Sequence, residues 1–418
     1  MMGDWVMNNE NVICNNSILC CGGVAARNDA TNITTNYQLS IINYQLSIFH
    51  CSLIILLFSF LLSFSSCMKD DMAPITAFDT SHDVDTIRTD TSCVVRNYGV
   101  FIPCEGNFMY GNASLSYYDQ NKQSVENQVF LRANGIPLGD VLQSVTINDS
   151  LAYLVVNNSG KIYVINKNTF TYVNKITGLT SPRYICFVSP VKAYVSDMYS
   201  RSIYVVNPMT YMVDRTINID DGSGSYYRNS SEQMIVYGSY VFVNSWSYDD
   251  KVLVIDSNTD ELVSRIEVLK QPHRMVLDKN GKIWVLCDGG YQGSEYYGTP
   301  GLVKIDAATQ SVERIFEFQN GDYPSEIAIN GTGDTIYYCN NHIYRFQVDS
   351  DNVASEIFFA NPQGRFYYGL GVDPINSDVY VADAIDYMQS GVVYRLNAAG
   401  VEIDNFRVGI NPNGFCFK

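Results

Sequence analysis

Charged side chains make up only 17% of the chain, and the basic ones are the scarcer: 27 Lys and Arg stand against 43 Asp and Glu, a formal net charge of −16. Phosphate backbones require a basic footprint, so nucleic acid is excluded as a partner. Histidine is rare, with 4 in all, and beyond residue 67 it occurs only at His82, His273 and His342. No C-x-x-C pair, phosphate-binding P-loop or G-x-S-x-G elbow is present. Zinc, P-loop and α/β-hydrolase chemistry therefore lack their usual residues. No catalytic residue, metal site or cofactor is expected. The 11 Cys do not form a disulfide framework: Cys14, Cys20, Cys21, Cys51 and Cys67 crowd the start, and the other six are scattered. Four of those six lie in apolar runs, where Cys acts as a small buried hydrophobe. What the chain has in quantity is Tyr (31) and Phe (20), which suit β-strands and amphipathic binding surfaces.

Residues 1–66 read as a targeting segment preceded by an upstream extension. Ser52–Phe64 is an apolar run too short to span a bilayer comfortably. It ends in Ser65-Ser66-Cys67, as a bacterial lipoprotein signal does, so Cys67 is the expected lipidation site. Two features depart from that pattern: Phe64 stands where Leu is usual, and no Lys or Arg lies between Arg27 and Lys69. Met68-Lys69-Asp70-Asp71 resembles the export tag of surface-exposed lipoproteins in Bacteroides-like bacteria. Asn36–Ile42 is nearly repeated by Asn43–Phe49 in a polar stretch, which suggests translated upstream sequence. Residues 67–97 form the lipidated cysteine and an Asp- and Thr-rich tether.

Residues 98–418 repeat one unit. A Tyr- and Val-rich strand recurs at Tyr153, Tyr194, Phe242, Trp284, Tyr337 and Tyr380. A second strand ending in Asn or Asp follows, such as Ile162–Asn166 or Val252–Asp256, then a turn and a third strand such as Leu262–Val268. A fourth opens each unit, often after Pro, as at Ser181-Pro182-Arg183-Tyr184 and Gln271-Pro272-His273-Arg274. Four short strands per unit of 40–53 residues signal a β-propeller, here all-β with seven blades. The first unit lacks an opening strand and the last strand, Pro412–Lys418, lacks followers. The C-terminal strand is therefore expected to complete the first blade as its innermost strand.

Two loop types converge on one propeller face: those leading into each inner strand and those joining the second and third strands. The long ones read Glu105–Asn112, Ser245–Asp250, Asp288–Pro300 and Asp383–Ser390. They place Phe108, Tyr110, Trp246, Tyr248, Tyr291, Tyr296, Tyr297 and Tyr387 on that face. The lead-in loops add Arg183, Tyr184, Gln233, His273, Arg274, Tyr367 and Asn413, with Tyr226, Tyr227, Tyr323 and Tyr368 beside them. Rigid apolar area with polar handles is the composition of a binding surface. Some of these rings are expected to pack between blades instead. Glu232, Glu326 and Asn413 open inner strands and are candidates either for a Ca²⁺ ring or for hydrogen bonds to backbone.

The strand pattern resembles the YVTN/YncE-like propeller repeat. With Glu105-Gly106-Asn107-Phe108, Asn244-Ser245-Trp246-Ser247-Tyr248, Asp288-Gly289-Gly290-Tyr291 and Ala382-Asp383-Ala384-Ile385-Asp386-Tyr387, it resembles the DUF5074 surface-layer propellers, and among them the BtuG-type lipoproteins. That resemblance implies an outer-membrane, surface-exposed, lipid-anchored protein. It would capture cobalamin (vitamin B12) or another corrinoid and hand it to a TonB-dependent transporter, while staying monomeric apart from that partner. A Ca²⁺-dependent hydrolase or a dehydrogenase on the same scaffold is the enzymatic alternative, and a glycan-binding surface protein is a third.

Overall fold

A computed structural model describes residues 98–223, 228–353, 356–362 and 364–418. The lipidation site, tether and signal, and also Tyr226 and Tyr227, lie outside the described residues.

Seven four-stranded antiparallel sheets follow one another along the chain. Each runs from an inner to an outer strand. Blade 2 spans Leu142–Asn148 to Tyr172–Ile176 and blade 3 Pro182–Ser189 to Met212–Asn218. Blade 4 spans Ser231–Tyr237 to Glu261–Glu267 and blade 5 Pro272–Leu277 to Ser311–Glu317. Blade 6 spans Glu326–Ile329 to Glu356–Phe359 and blade 7 Tyr367–Val372 to Glu402–Ile410. Blade 1 takes three strands from the start, Gly99–Cys104, Ser114–Asp119 and Ser124–Glu126, and its innermost from the end, Cys416–Phe417. Val100 pairs with Phe417 and Phe101 with Cys416, so the expected closure is present. A short helix not foreseen from the sequence, Val129–Asn134, caps the blade 1–2 interface with Val129 and Phe130 buried.

Strand alternation explains the core. Successive side chains point to opposite faces, so each blade feeds the interface on either side. Phe101 packs toward blade 2, whereas Val100 and Ile102 pack toward blade 7. Seven apolar clusters result, one per interface, including one across the closure seam. At that seam Tyr118 stacks on Phe406 at 4.2 Å, and the Gln120 amide donates to Asp373 and to the Tyr380 hydroxyl at 2.6 and 2.8 Å. Cys104, Cys287 and Cys339 are buried and unbridged.

Candidate functional site

In every blade the first-to-second and third-to-fourth connections emerge at one end. The second-to-third connections and the lead-ins to the next blade emerge at the other, the loop face. On this face five inner strands open with a β-bulge. The irregular positions are Gln143, Arg183-Tyr184, Glu232-Gln233, His273 and Tyr368, each lying between paired neighbours of the ladder. A bulge re-aims a side chain that regular pairing would send into an interface. Here the bulges of blades 3, 4, 5 and 7 bring Arg183, Glu232, His273 and Tyr368 to the mouth of the central channel.

The mouth is a buried charge network. Arg183 Nε lies 2.7 Å from Glu232 Oε1. Arg274 donates to Glu326 through Nε at 3.1 and 3.0 Å and through Nη2 at 2.9 Å. Glu105 accepts from Asn413 Nδ2 at 2.9 Å and from the Tyr368 hydroxyl at 2.8 Å. The Arg274 guanidinium also sits 5.6 Å from the Tyr184 ring centroid. Burial pushes the Glu105 and Glu326 carboxyls up, against the pull of their hydrogen-bond and arginine partners. Burial likewise opposes charge on both arginines, but the carboxylates hold them above the ordinary guanidinium range. Two arginines face three glutamates, so the network has an acidic surplus.

Above it stands an aromatic layer. Trp246 donates its indole N–H to Asp288 Oδ2 at 3.0 Å, and its ring lies 5.2 Å from the imidazole of His273. Burial lifts the Asp288 carboxyl to about 6 and drives the His273 imidazole well below its usual value. Tyr248 meets Tyr296 edge-on at 5.0 Å, and the Tyr297 hydroxyl bonds Asn320. Tyr387 bridges Phe366 and Tyr368 at 5.7 and 5.5 Å. The most exposed large aromatic side chains among the described residues are Phe108, Tyr110, Tyr199, Tyr291, Tyr323 and Phe366, between 41% and 74%. All six emerge on the loop face.

The sequence-predicted residues thus divide. Phe108, Tyr110 and Tyr291 stand free; Trp246, Tyr248, Tyr296, Tyr297 and Tyr387 are half-buried members of the layer. Arg183, Tyr184, His273, Arg274 and Asn413 form the channel mouth. Gln233 accepts from the Met275 amide at 2.7 Å and joins blade 4 to blade 5. Tyr367 goes elsewhere: it is 8% exposed in the blade 6–7 core, because the bulge turns Tyr368, and not Tyr367, toward the channel. Gly289 and Gly290 serve the loop itself. A Cβ on Gly289, at φ 76°, would meet Gly298 O at 2.4 Å, and one on Gly290 would meet the Gln271 amide at 2.7 Å. Gln143, Tyr199 and Phe366 were not foreseen, nor was the anchoring role of Asp288; nothing local in sequence marks a bulge or an inter-blade partner. The glutamates considered for a Ca²⁺ ring are committed to arginines, and no group of three metal-ligating side chains occurs among the described residues.

The family model DUF5074, described as a domain of unknown function, matches residues 98–411. The chain belongs to this family. Solved structures share the DUF5074 propeller fold at low identity. A quinonprotein alcohol dehydrogenase-like protein from Bacteroides thetaiotaomicron is 15% identical with a TM-score of 0.58, covering 76% of this chain and 78% of that one. A putative 6-phosphogluconolactonase from Bacteroides uniformis is 14% identical with a TM-score of 0.59, covering 77% and 99%. A protein from Lactobacillus plantarum is 14% identical with a TM-score of 0.58, covering 77% and 100%. No curated protein matches the chain. These likenesses establish the fold, which hosts many unrelated activities.

Proposed function

We propose that this DUF5074 propeller is a non-catalytic ligand-capture protein, lipid-anchored at Cys67 and exposed on the outer membrane. Its ligand is cobalamin or a related corrinoid, which it passes to a TonB-dependent transporter. The observation that carries the reading is the gathering of the six most exposed large aromatics among the described residues on one face. Exposed rings are costly in water and mark interaction surfaces when they cluster. A corrinoid is a broad plate edged with amides. Free rings at the rim suit its apolar faces, and half-buried Tyr hydroxyls and the channel-mouth polar groups suit its amide edge. Capture needs no general base or metal, and at the mouth Glu232 and Glu326 are paired with arginines while Glu105 is held by Asn413 and Tyr368.

The test is retention. Purified protein mixed with cyanocobalamin and desalted should keep the visible absorbance of the vitamin at one equivalent. Loss of all colour on desalting would move the weight to a glycan or another surface ligand. A putative lactonase and a dehydrogenase-like protein share the fold, so assays for lactone hydrolysis and quinone-linked alcohol oxidation should read zero.

A further inference from the structure

We propose that Phe108-Met109-Tyr110 is a pre-organised contact anchor on the loop face and that Asp140, from the connection between blades 1 and 2, is its positioning residue. The proposal rests on the ligand-capture reading above. Three consecutive large side chains stand 62%, 77% and 74% exposed. A slack loop would fold such groups down onto the protein, since their burial is favourable. This loop cannot, because its backbone is tied on every side. The Met109 amide donates to Asp140 Oδ2 at 2.8 Å. The Asn107 amide donates to Asn112 Oδ1 at 2.7 Å, and the Asn107 side chain donates to the Tyr387 carbonyl at 2.8 Å. Behind them Glu105 N and Gly106 N donate to the Asn411 and Ile410 carbonyls, and Asn411 Nδ2 returns a bond to Gly106 O at 2.8 Å.

Met109 itself is held at φ 68°, a left-handed conformation that a side chain of its size rarely adopts. Such strain persists only where surroundings over-determine it, and it concentrates at functional sites. Asp140 supplies that constraint. It is 8% exposed, its amide donates to Ser159 Oγ at 3.0 Å, and Asn158 Nδ2 donates to the same Oδ2 at 2.5 Å. The anchor continues across the closure seam: Asn107 Nδ2 reaches Met388 Sδ at 3.6 Å, and Met388 is 63% exposed. Two thioethers and two rings make a surface that adapts to a flat apolar ligand, while its backbone is ordered before binding.

The experiment measures amide exchange across residues 107–111 and cyanocobalamin affinity in the full chain, for the parent, Asp140→Ala, Asp140→Asn and Phe108→Ser. Asp140→Ala should raise Met109 exchange by tenfold or more and weaken affinity by about tenfold. Asp140→Asn, which keeps an acceptor oxygen, should restore most of both. Phe108→Ser should weaken affinity with exchange unchanged. A purely structural role would instead shift the thermal midpoint and leave the Asn and Ala variants alike. Unchanged exchange in Asp140→Ala overturns the clamp, and lost protection with full affinity overturns the anchor. If the parent does not bind cyanocobalamin, the ligand reading and the anchor's contact role fall together, while exchange still decides whether Asp140 positions the loop.

Discussion

Arg274 on the inner strand of blade 5 grips Glu326 on the inner strand of blade 6, with Nε and Nη2 both engaged and each side chain about nine-tenths buried. The pair ties two blades together at the channel mouth and engages both carboxylate oxygens of Glu326.

Removing one member should therefore be harsher than removing both. Arg274→Met leaves a buried carboxylate unpaired and should cost about 3–5 kcal/mol in chemical denaturation. The double change Arg274→Met with Glu326→Leu should recover most of that loss. A double variant as unstable as the single one would show that the mouth needs the charges themselves.

The ring closes through very little chain. Deleting Pro412–Lys418 removes the strand paired with Val100 and Phe101, the bridge from Pro412 to Cys104, and the Asn413 bond to Glu105. The truncated protein should unfold in one cooperative step, with its midpoint lowered by many degrees. A midpoint within a degree or two of the parent would contradict the closure.

Asp288 titrates in a useful window. Its carboxyl is lifted to about 6, above the unfolded value near 3.8, so the folded state holds the proton more tightly. This group's contribution therefore favours folding most at low pH and declines as pH rises from about 4 to about 6. Trp246 reports it, since its indole N–H bonds that carboxylate. The fluorescence difference between the parent and Trp246→Phe should titrate with a midpoint near 6, and Asp288→Asn should abolish the step. A flat difference in the parent would remove the coupling.

The proposed anchoring at Cys67 is read from the sequence. Cys67→Ala should release the protein from the outer membrane, whereas alanine at Asp70 and Asp71 should leave it lipidated but facing inward. Surface proteolysis of whole cells separates the outcomes; equal surface exposure of the Asp variants would contradict the export-tag reading.

The blade order and closure were legible because each blade obeys a local rule: alternating strands, Asn- or Asp-led turns, and a missing first strand matched by a surplus last one. Exposed rings were legible where the loops were long, as at Phe108, Tyr110 and Tyr291. What escaped depends on register. The bulge that sends Tyr368 to the channel and Tyr367 to the core has no signature in Arg365-Phe366-Tyr367-Tyr368. Trp246 reads as a free plate in Ser-Trp-Ser-Tyr, yet Asp288, 42 positions on, pins it. The short helix Val129–Asn134 escaped because its sequence, VFLRAN, is shorter than any periodicity can mark.

Titration calorimetry of cyanocobalamin into the purified chain asks whether the loop face captures a corrinoid. Saturable one-to-one heat is expected. Tyr291→Ala should weaken binding by about 2 kcal/mol, as loss of a free aromatic anchor does. Tyr163→Ala, a core change, should lower stability and spare affinity. Absence of heat in the parent, or equal affinity in the parent and Tyr291→Ala, would contradict that capture.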